Sequence, residues 1–210
     1  MASRLLYVMD PMCSWCWGFA PVIETLVEQA AAADVPLQIV VGGLRRDQVA
    51  VDAAARVRYL GYWQAVNAST GQLFDFERGL PEGMVYDTEP ACRALVTARN
   101  LDAQSAWTLL KLIQQAFYTE GADVTQASVL VQLAEQAGIP RIEFAEAFDS
   151  QAMEDATAAD FTWVQDLGIA GFPTLLAERD GQLALLTNGY QPLEVLSPLL
   201  GRWLERAANA

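Results

Sequence analysis

The sequence predicts an α/β fold in which a large helical insertion separates an N-terminal βαβ unit from a C-terminal ββα unit. Three observations carry this expectation. Two short apolar runs flank an amphipathic helix within the first 44 residues. Apolar residues then recur at helical spacing from about residue 45 to residue 167. A β pattern returns at 174–178 and 183–187, ahead of a last amphipathic helix.

Each element follows from its residues. Arg4, Leu5, Leu6, Tyr7, Val8 and Met9 read as a short buried strand, and Asp10-Pro11 is a turn. A helix then carries Cys13 and Cys16. Pro21, five residues past Cys16, is expected to kink this helix rather than end it. The ring removes one backbone donor, but the apolar pattern resumes through Val22, Ile23, Leu26 and Val27 to the alanines at 30–33. Asp34-Val35-Pro36 breaks the helix, and Leu37 to Val41 form a second strand ending at Gly42-Gly43. A crossover of this length implies parallel pairing of the two strands.

From about residue 45 the pattern turns helical. Ala106, Leu109, Leu110, Ile113 and Phe117 repeat at i, i+3, i+4, i+7, as do Val129, Leu130, Leu133 and Ala137. Asn100, Gly121 and Gly138-Ile139-Pro140 mark turns, and Gly71 to Asp87, with Gly79, Pro81 and Gly83, reads as a long loop. Asp180-Gly181 is a hairpin signal, because both residues tolerate the positive φ of a tight turn. The closing helix holds Leu196, Leu199, Leu200, Trp203 and Leu204, and Pro198 is its expected start. The expected domains are a discontinuous one, 1–44 with 168–210, and an inserted helical one, 45–167.

Composition narrows the function. A chain of 210 residues that is 53% hydrophobic can bury a substantial core. A formal charge of −13 argues against nucleic acid or an anionic membrane as partner, since like charges repel. No stretch approaches the length of a membrane span. The apolar run after Arg4 stops at Asp10, too short for a signal-peptide core, so the expected location is cytoplasmic, where dithiols are mostly kept reduced. Without secretion, the Asn67-Ala68-Ser69 sequon is a chance match.

Cys13-Ser14-Trp15-Cys16 carries the chemistry. At the start of a helix, the first sulfur faces unpaired N–H groups and the positive end of the macrodipole, which favour thiolate. Cys13 is therefore the expected attacking sulfur. The i,i+3 spacing puts Cys16 one turn deeper on the same face, close enough to resolve a mixed disulfide. Such a pair also serves as half a zinc site or as structural thiols. Three cysteines and no histidine leave too few zinc ligands, and the missing histidine also excludes Ser-His-Asp and Cys-His hydrolysis. No metal or organic cofactor is expected. Lys111 is the single lysine and sits among Leu109, Leu110, Leu112 and Ile113, so it reads as a snorkelling side chain rather than a Schiff base. Cys92, among Ala91, Ala94, Leu95 and Val96, reads as a small buried residue, with a regulatory thiol as the alternative. Arg45 and Arg93 are expected to pair with acids. Trp17, Phe19, Tyr62, Trp63 and Trp107 are expected in the core, with Trp17 and Phe19 also placed to border the site.

The order of these parts resembles the thioredoxin fold of the DsbA family. It comprises a βαβ unit with CxxC on its first helix, a helical insertion, then Gly171-Phe172-Pro173-Thr174 before a hairpin and closing helix. Asp10-Pro11-Met12-Cys13-Ser14-Trp15-Cys16-Trp17-Gly18-Phe19, Gly42-Gly43-Leu44-Arg45 and Tyr86-Asp87-Thr88-Glu89-Pro90-Ala91-Cys92-Arg93 resemble the cytosolic, FrnE-like branch. The likeness spans nearly the whole chain. It implies a thioredoxin-like fold and a protein thiol–disulfide oxidoreductase acting as reductase or isomerase. It further implies that Pro173 is cis beside the dithiol, and that Ser14, Trp15, Phe172, Pro173 and Thr174 bind substrate. Implied partners are protein or peptide thiols and disulfides, with a low-molecular-weight thiol or other reductant to reset the pair.

Departures from the family pattern bear on direction. Periplasmic members place proline and histidine between the cysteines, where Ser14 and Trp15 stand here, so strong oxidising power is not expected. Ser14 either donates its hydroxyl or caps the helix, and Trp15 is either an exposed platform or part of the local packing. Tyr7 stands where many relatives keep a buried carboxylate, and Asp10, the nearest acid, is read as a turn residue, with electrostatic assistance to the pair as the alternative. Two rival readings share the fold: a glutathione-dependent isomerase or transferase of the 2-hydroxychromene-2-carboxylate isomerase and kappa transferase type, and a non-enzymatic adaptor that holds clients beside Pro173.

Overall fold

The computed structural model describes residues 3–208. In chain order its elements are β1 (Ser3–Met9), α1 (Ser14–Ala31), β2 (Leu37–Val41), β3 (Arg46–Ala50), α2 (Ala53–Thr70) and β4 (Val85–Asp87). Helices α3 (Glu89–Leu101), α4 (Ala103–Thr119), α5 (Ala127–Gln136), α6 (Arg141–Phe148) and α7 (Gln151–Asp166) follow. The chain closes with β5 (Thr174–Arg179), β6 (Gln182–Asn188) and α8 (Leu193–Ala208).

The main sheet has the order β2-β1-β5-β6. β1 and β2 pair in parallel, Leu5 opposite Leu37 and Met9 opposite Val41, as the long crossover requires. β5 runs antiparallel to β1, with Val8 opposite Thr174, and antiparallel to β6. The β5–β6 turn is Asp180-Gly181, with φ of 50° and 78°, matching the two-residue hairpin signal. β1 is buried on both faces because its side chains alternate between two cores. Leu5, Tyr7 and Met9 join the large cluster that includes α1, α3, α4 and α8, while Leu6 and Val8 pack with Val40, Val164 and Leu176.

Helix α1 continues through Pro21. Proline cannot donate to the Trp17 carbonyl one turn earlier, and Gln72 Nε2 takes that place at 3.0 Å. Helix α4 buries Ala106, Leu109, Leu110, Ile113 and Phe117, the residues of its predicted stripe. Asp102 caps it, accepting from the Gln104 and Ser105 amides. Among the described residues no helix is long and apolar enough to cross a membrane.

Two expectations are corrected. The region after Gly43 begins with β3, not a helix, and β3 pairs with β4 at the end of the expected loop. β3 is mostly exposed and polar, so no buried period marks it; its pairing is helped by Arg46–Asp87 at 3.1 Å. Helix α8 starts at Leu193 rather than Pro198, which lies inside it. Docking outweighs the lost bond there: Leu196 and Leu200 are buried, and Ser197 and Gln29 exchange two hydrogen bonds, at 3.0 and 3.1 Å.

Candidate active site

Asp10 builds the turn that launches the cysteine helix. Its carboxylate is fully buried. Oδ1 accepts from the Met12 amide at 2.8 Å, and Oδ2 accepts from the Leu44 amide at 2.7 Å and from the Cys92 thiol at 3.3 Å. Burial pushes the Asp10 carboxyl up from its ordinary pKa, and hydrogen bonds from Thr88, Leu44, Met12 and Cys92 oppose that rise. Tyr86 supports the same turn, donating its hydroxyl to the Met12 carbonyl at 2.7 Å. Asp10 is thus more than a turn residue, and Cys92 is a hydrogen-bond donor as well as a small buried side chain. Burial, then the Asp10 charge, push the Cys92 thiol well up.

Cys13 is the N-cap of α1, with φ −85° and ψ 117°, and its side chain makes no capping bond. Ser14 is the first helical residue, so the capping role expected as one option for it falls to Cys13's position. All three cysteines are free thiols. Cys13 is 6% exposed and Cys16 fully buried, so only the first offers an edge to the outside. Burial, then the Cys13 thiol beside it, push the Cys16 pKa well up.

The loop before β5 comes to the same place. The Phe172–Pro173 peptide bond is cis. The Cys13 thiol points at the Phe172 carbonyl, 3.7 Å away. Phe172 is seated over Gly42 at the end of β2, where an added Cβ would lie 2.0 Å from its ring. The Pro173 carbonyl accepts from the Gly189 amide at 2.7 Å. Thr174 is buried, and its hydroxyl is turned inward to the Gly171 carbonyl (2.9 Å) and Asn188 Oδ1 (3.1 Å) rather than toward the cleft.

A cleft of ≈ 320 Å³ opens beside Cys13. Met12, Ser14, Trp15, Leu44 and Arg45 line it, together with Tyr59, Tyr62, Trp63 and Tyr86. Trp15 is half-buried and packs on Tyr190 at 5.9 Å, so both options for it hold in part. Arg45 pairs with Asp47 at 3.1 Å and lies over the Tyr59 and Tyr86 rings at 4.9 and 5.6 Å. Arg93 pairs with Glu89 and Glu154, the acid partners expected for it, while Lys111, half exposed, pairs with Glu24. Phe19 and Trp63 are buried core, whereas Tyr62 is 54% exposed at the cleft. Sequence reasoning missed Tyr59 and Tyr86 as cleft residues. Tyr59 comes from α2 and Tyr86 from β4, and only tertiary packing sets them both beside Cys13.

Residues 4–201 match the family model of the DSBA-like thioredoxin domain. A structure of a proposed protein disulfide isomerase from Nitrosomonas europaea superposes with a TM-score of 0.89 at 40% identity, over 98% of this chain and 99% of that one. The cytosolic disulfide reductase DsbM from Pseudomonas aeruginosa gives 0.77 at 28% identity, over 95% and 98%. The same protein with GSH gives 0.74 at 26% identity, over 99% and 100%. Among curated proteins, the ClpXP adapter protein SpxH of Halalkalibacterium halodurans is 21% identical across 94% of this chain and 68% of its own length. This chain spans 55% of the Bacillus subtilis SpxH.

Proposed function

This chain belongs to the DSBA-like thioredoxin family, and from that premise we propose that it is a cytoplasmic disulfide reductase or isomerase working through Cys13 and Cys16. Cys13 attacks a substrate disulfide, a mixed disulfide forms, and Cys16 displaces the substrate thiol by closing the Cys13–Cys16 bond. A low-molecular-weight thiol then returns the pair to the dithiol. The observation that carries this reading is the meeting of Cys13 and the Phe172 carbonyl at 3.7 Å across 159 residues of chain. An extended peptide lying along the Phe172–Pro173 loop would bring its sulfur to the exposed edge of Cys13, with Trp15 beside it. The likeness to DsbM, a cytosolic reductase with a GSH-containing structure, supports reduction, the cytoplasmic setting and glutathione as resetting thiol.

The distant likeness to SpxH favours one second reading, a client-binding adaptor. Insulin-disulfide reduction with a glutathione supply separates the two. Wild type should be active, and Cys13→Ser should lose essentially all turnover. Cys16→Ser should stall as a mixed disulfide. If wild type and both variants are equally inert, the redox reading fails; glutathione conjugation or isomerisation would then favour the transferase type, and inertness throughout the adaptor.

A further inference from the structure

A second cavity, of ≈ 250 Å³, lies between α1 and α4 and shares no lining residue with the Cys13 cleft. Two polar side chains close its inner end, Gln114 of α4 at 2% exposed and Tyr7 of β1 at 1%. Neither Gln114 Nε2 nor the Tyr7 hydroxyl has a hydrogen-bond partner. A buried polar atom without a partner costs the fold its lost hydration, and two of them on one cavity call for the same occupant. The other polar groups of the lining are engaged. Gln72 Nε2 donates to the Trp17 carbonyl and Gln115 Nε2 to Glu120 Oε1, each at 3.0 Å. At the mouth Lys111 and Glu24, both half exposed, pair at 2.7 Å.

Between these ends the walls are apolar, made by Trp17, Pro21, Ile23, Trp107 and Leu110. Water suits such a lining poorly. Filling it would take about eight molecules at ~30 Å³ each, and a held water needs about two to four polar partners. Two free polar atoms hold one water and leave the others against hydrocarbon and indole. A dry apolar cavity of about 150 Å³ already admits a benzene ring, so this one has room for a ring with one polar substituent. An apolar pocket with a few convergent polar groups is the usual form of a small-molecule site.

We propose that this cavity binds a small neutral molecule carrying a carbonyl oxygen on a flat apolar body. The oxygen sits at the inner end and accepts from Gln114 Nε2 and the Tyr7 hydroxyl, while the body lies against the Trp17 and Trp107 indoles. Gln114 Nε2 only donates, so a ligand offering donors alone leaves it bare. A carboxylate is disfavoured too. Its charge would be buried without a free cation, since Lys111 is already paired with Glu24, in a chain of net charge −13. Binding here does not depend on thiol exchange at Cys13.

The test uses the reduced full chain with benzamide as probe, and toluene as the same ring without the carbonyl. Benzamide should bind at about 1 mM or tighter, an affinity within reach of so small a ligand. Nuclear Overhauser contacts should run from its ring protons to the Trp17 and Trp107 indoles. Gln114→Leu should weaken binding about tenfold, because the oxygen loses a buried donor, and Tyr7→Phe severalfold. Toluene should bind more weakly than benzamide, since it leaves both polar atoms bare. Gln114 Nε2 and the Tyr7 hydroxyl have no protein partner to lose, so both variants should unfold at the wild-type temperature without ligand. Four results each overturn the proposal: no benzamide binding, contacts only to other residues, wild-type affinity in either variant, or toluene binding as tightly as benzamide.

Discussion

Asp10 is the residue on which the site's electrostatics turn. It lies between two backbone amides and the Cys92 thiol, and its charge raises the pKa of Cys16 after burial and Cys13 have done so. A buried carboxylate near the dithiol disfavours thiolate and so disfavours the reduced state. Asp10→Asn keeps the shape and removes the charge. Its reduction potential against a glutathione buffer should become less negative, by ~30 mV for each tenfold gain in stability of the reduced pair. An unchanged potential would show that the Asp10 charge does not reach the dithiol. The pH dependence of stability has a definite sign too. Asp10's folded pKa is raised above its ordinary value of 3.8, so its contribution is most favourable below that pH and is lost as pH rises through the folded value. Stability relative to Asp10→Asn should therefore fall as pH rises over that window, measured by denaturant unfolding.

At the scale of elements, the surroundings of Cys13 depend on two pieces far from it in sequence: the end of β2 and the loop before β5. Gly42 leaves room for the Phe172 ring, whose carbonyl faces Cys13. Gly42→Ala would press a methyl into that ring, and overpacking of this kind costs about 1–3 kcal/mol. Insulin reduction should drop severalfold or more while the βαβ unit stays folded, read by activity beside thermal unfolding. Full activity at wild-type stability would mean that Phe172 relaxes without moving its carbonyl. The legibility of elements follows the same physics. The α4 and α5 stripes and the Asp180-Gly181 turn are local patterns, and they stand where the sequence put them. β3 was hidden because an exposed, polar strand has no buried period, and the start of α8 because docking of Leu196 and Leu200 outweighs Pro198.

At the scale of the whole molecule, the charge of −13 surrounds a site whose cleft carries one arginine, already paired with Asp47. A cationic peptide disulfide should be drawn in by this field and an anionic one repelled. Raising ionic strength should slow reduction of the cationic substrate and speed that of the anionic one, in initial rates at subsaturating concentration. Equal salt dependence for both would place the acidic surface away from the approach path. The sheet order β2-β1-β5-β6 sets β5 directly beside β1, and this alone carries the Phe172–Pro173 loop to the start of α1.

The sequence by itself determined the parts: the parallel βαβ unit, the helix capped by Cys13, the hairpin, and two thiols three residues apart in a chain without histidine. These are legible because periodicity, turn residues and thiol spacing act over a few neighbouring positions. Only the tertiary structure decided how deep each sulfur lies, that Asp10 rather than a residue on β1 supplies the buried carboxylate, and that Tyr7 and Gln114 share a cavity. Burial and electrostatics depend on which distant elements pack together. Tyr7 comes from β1, Gln114 from α4 and Cys92 from α3, and no local pattern in the chain records their meeting.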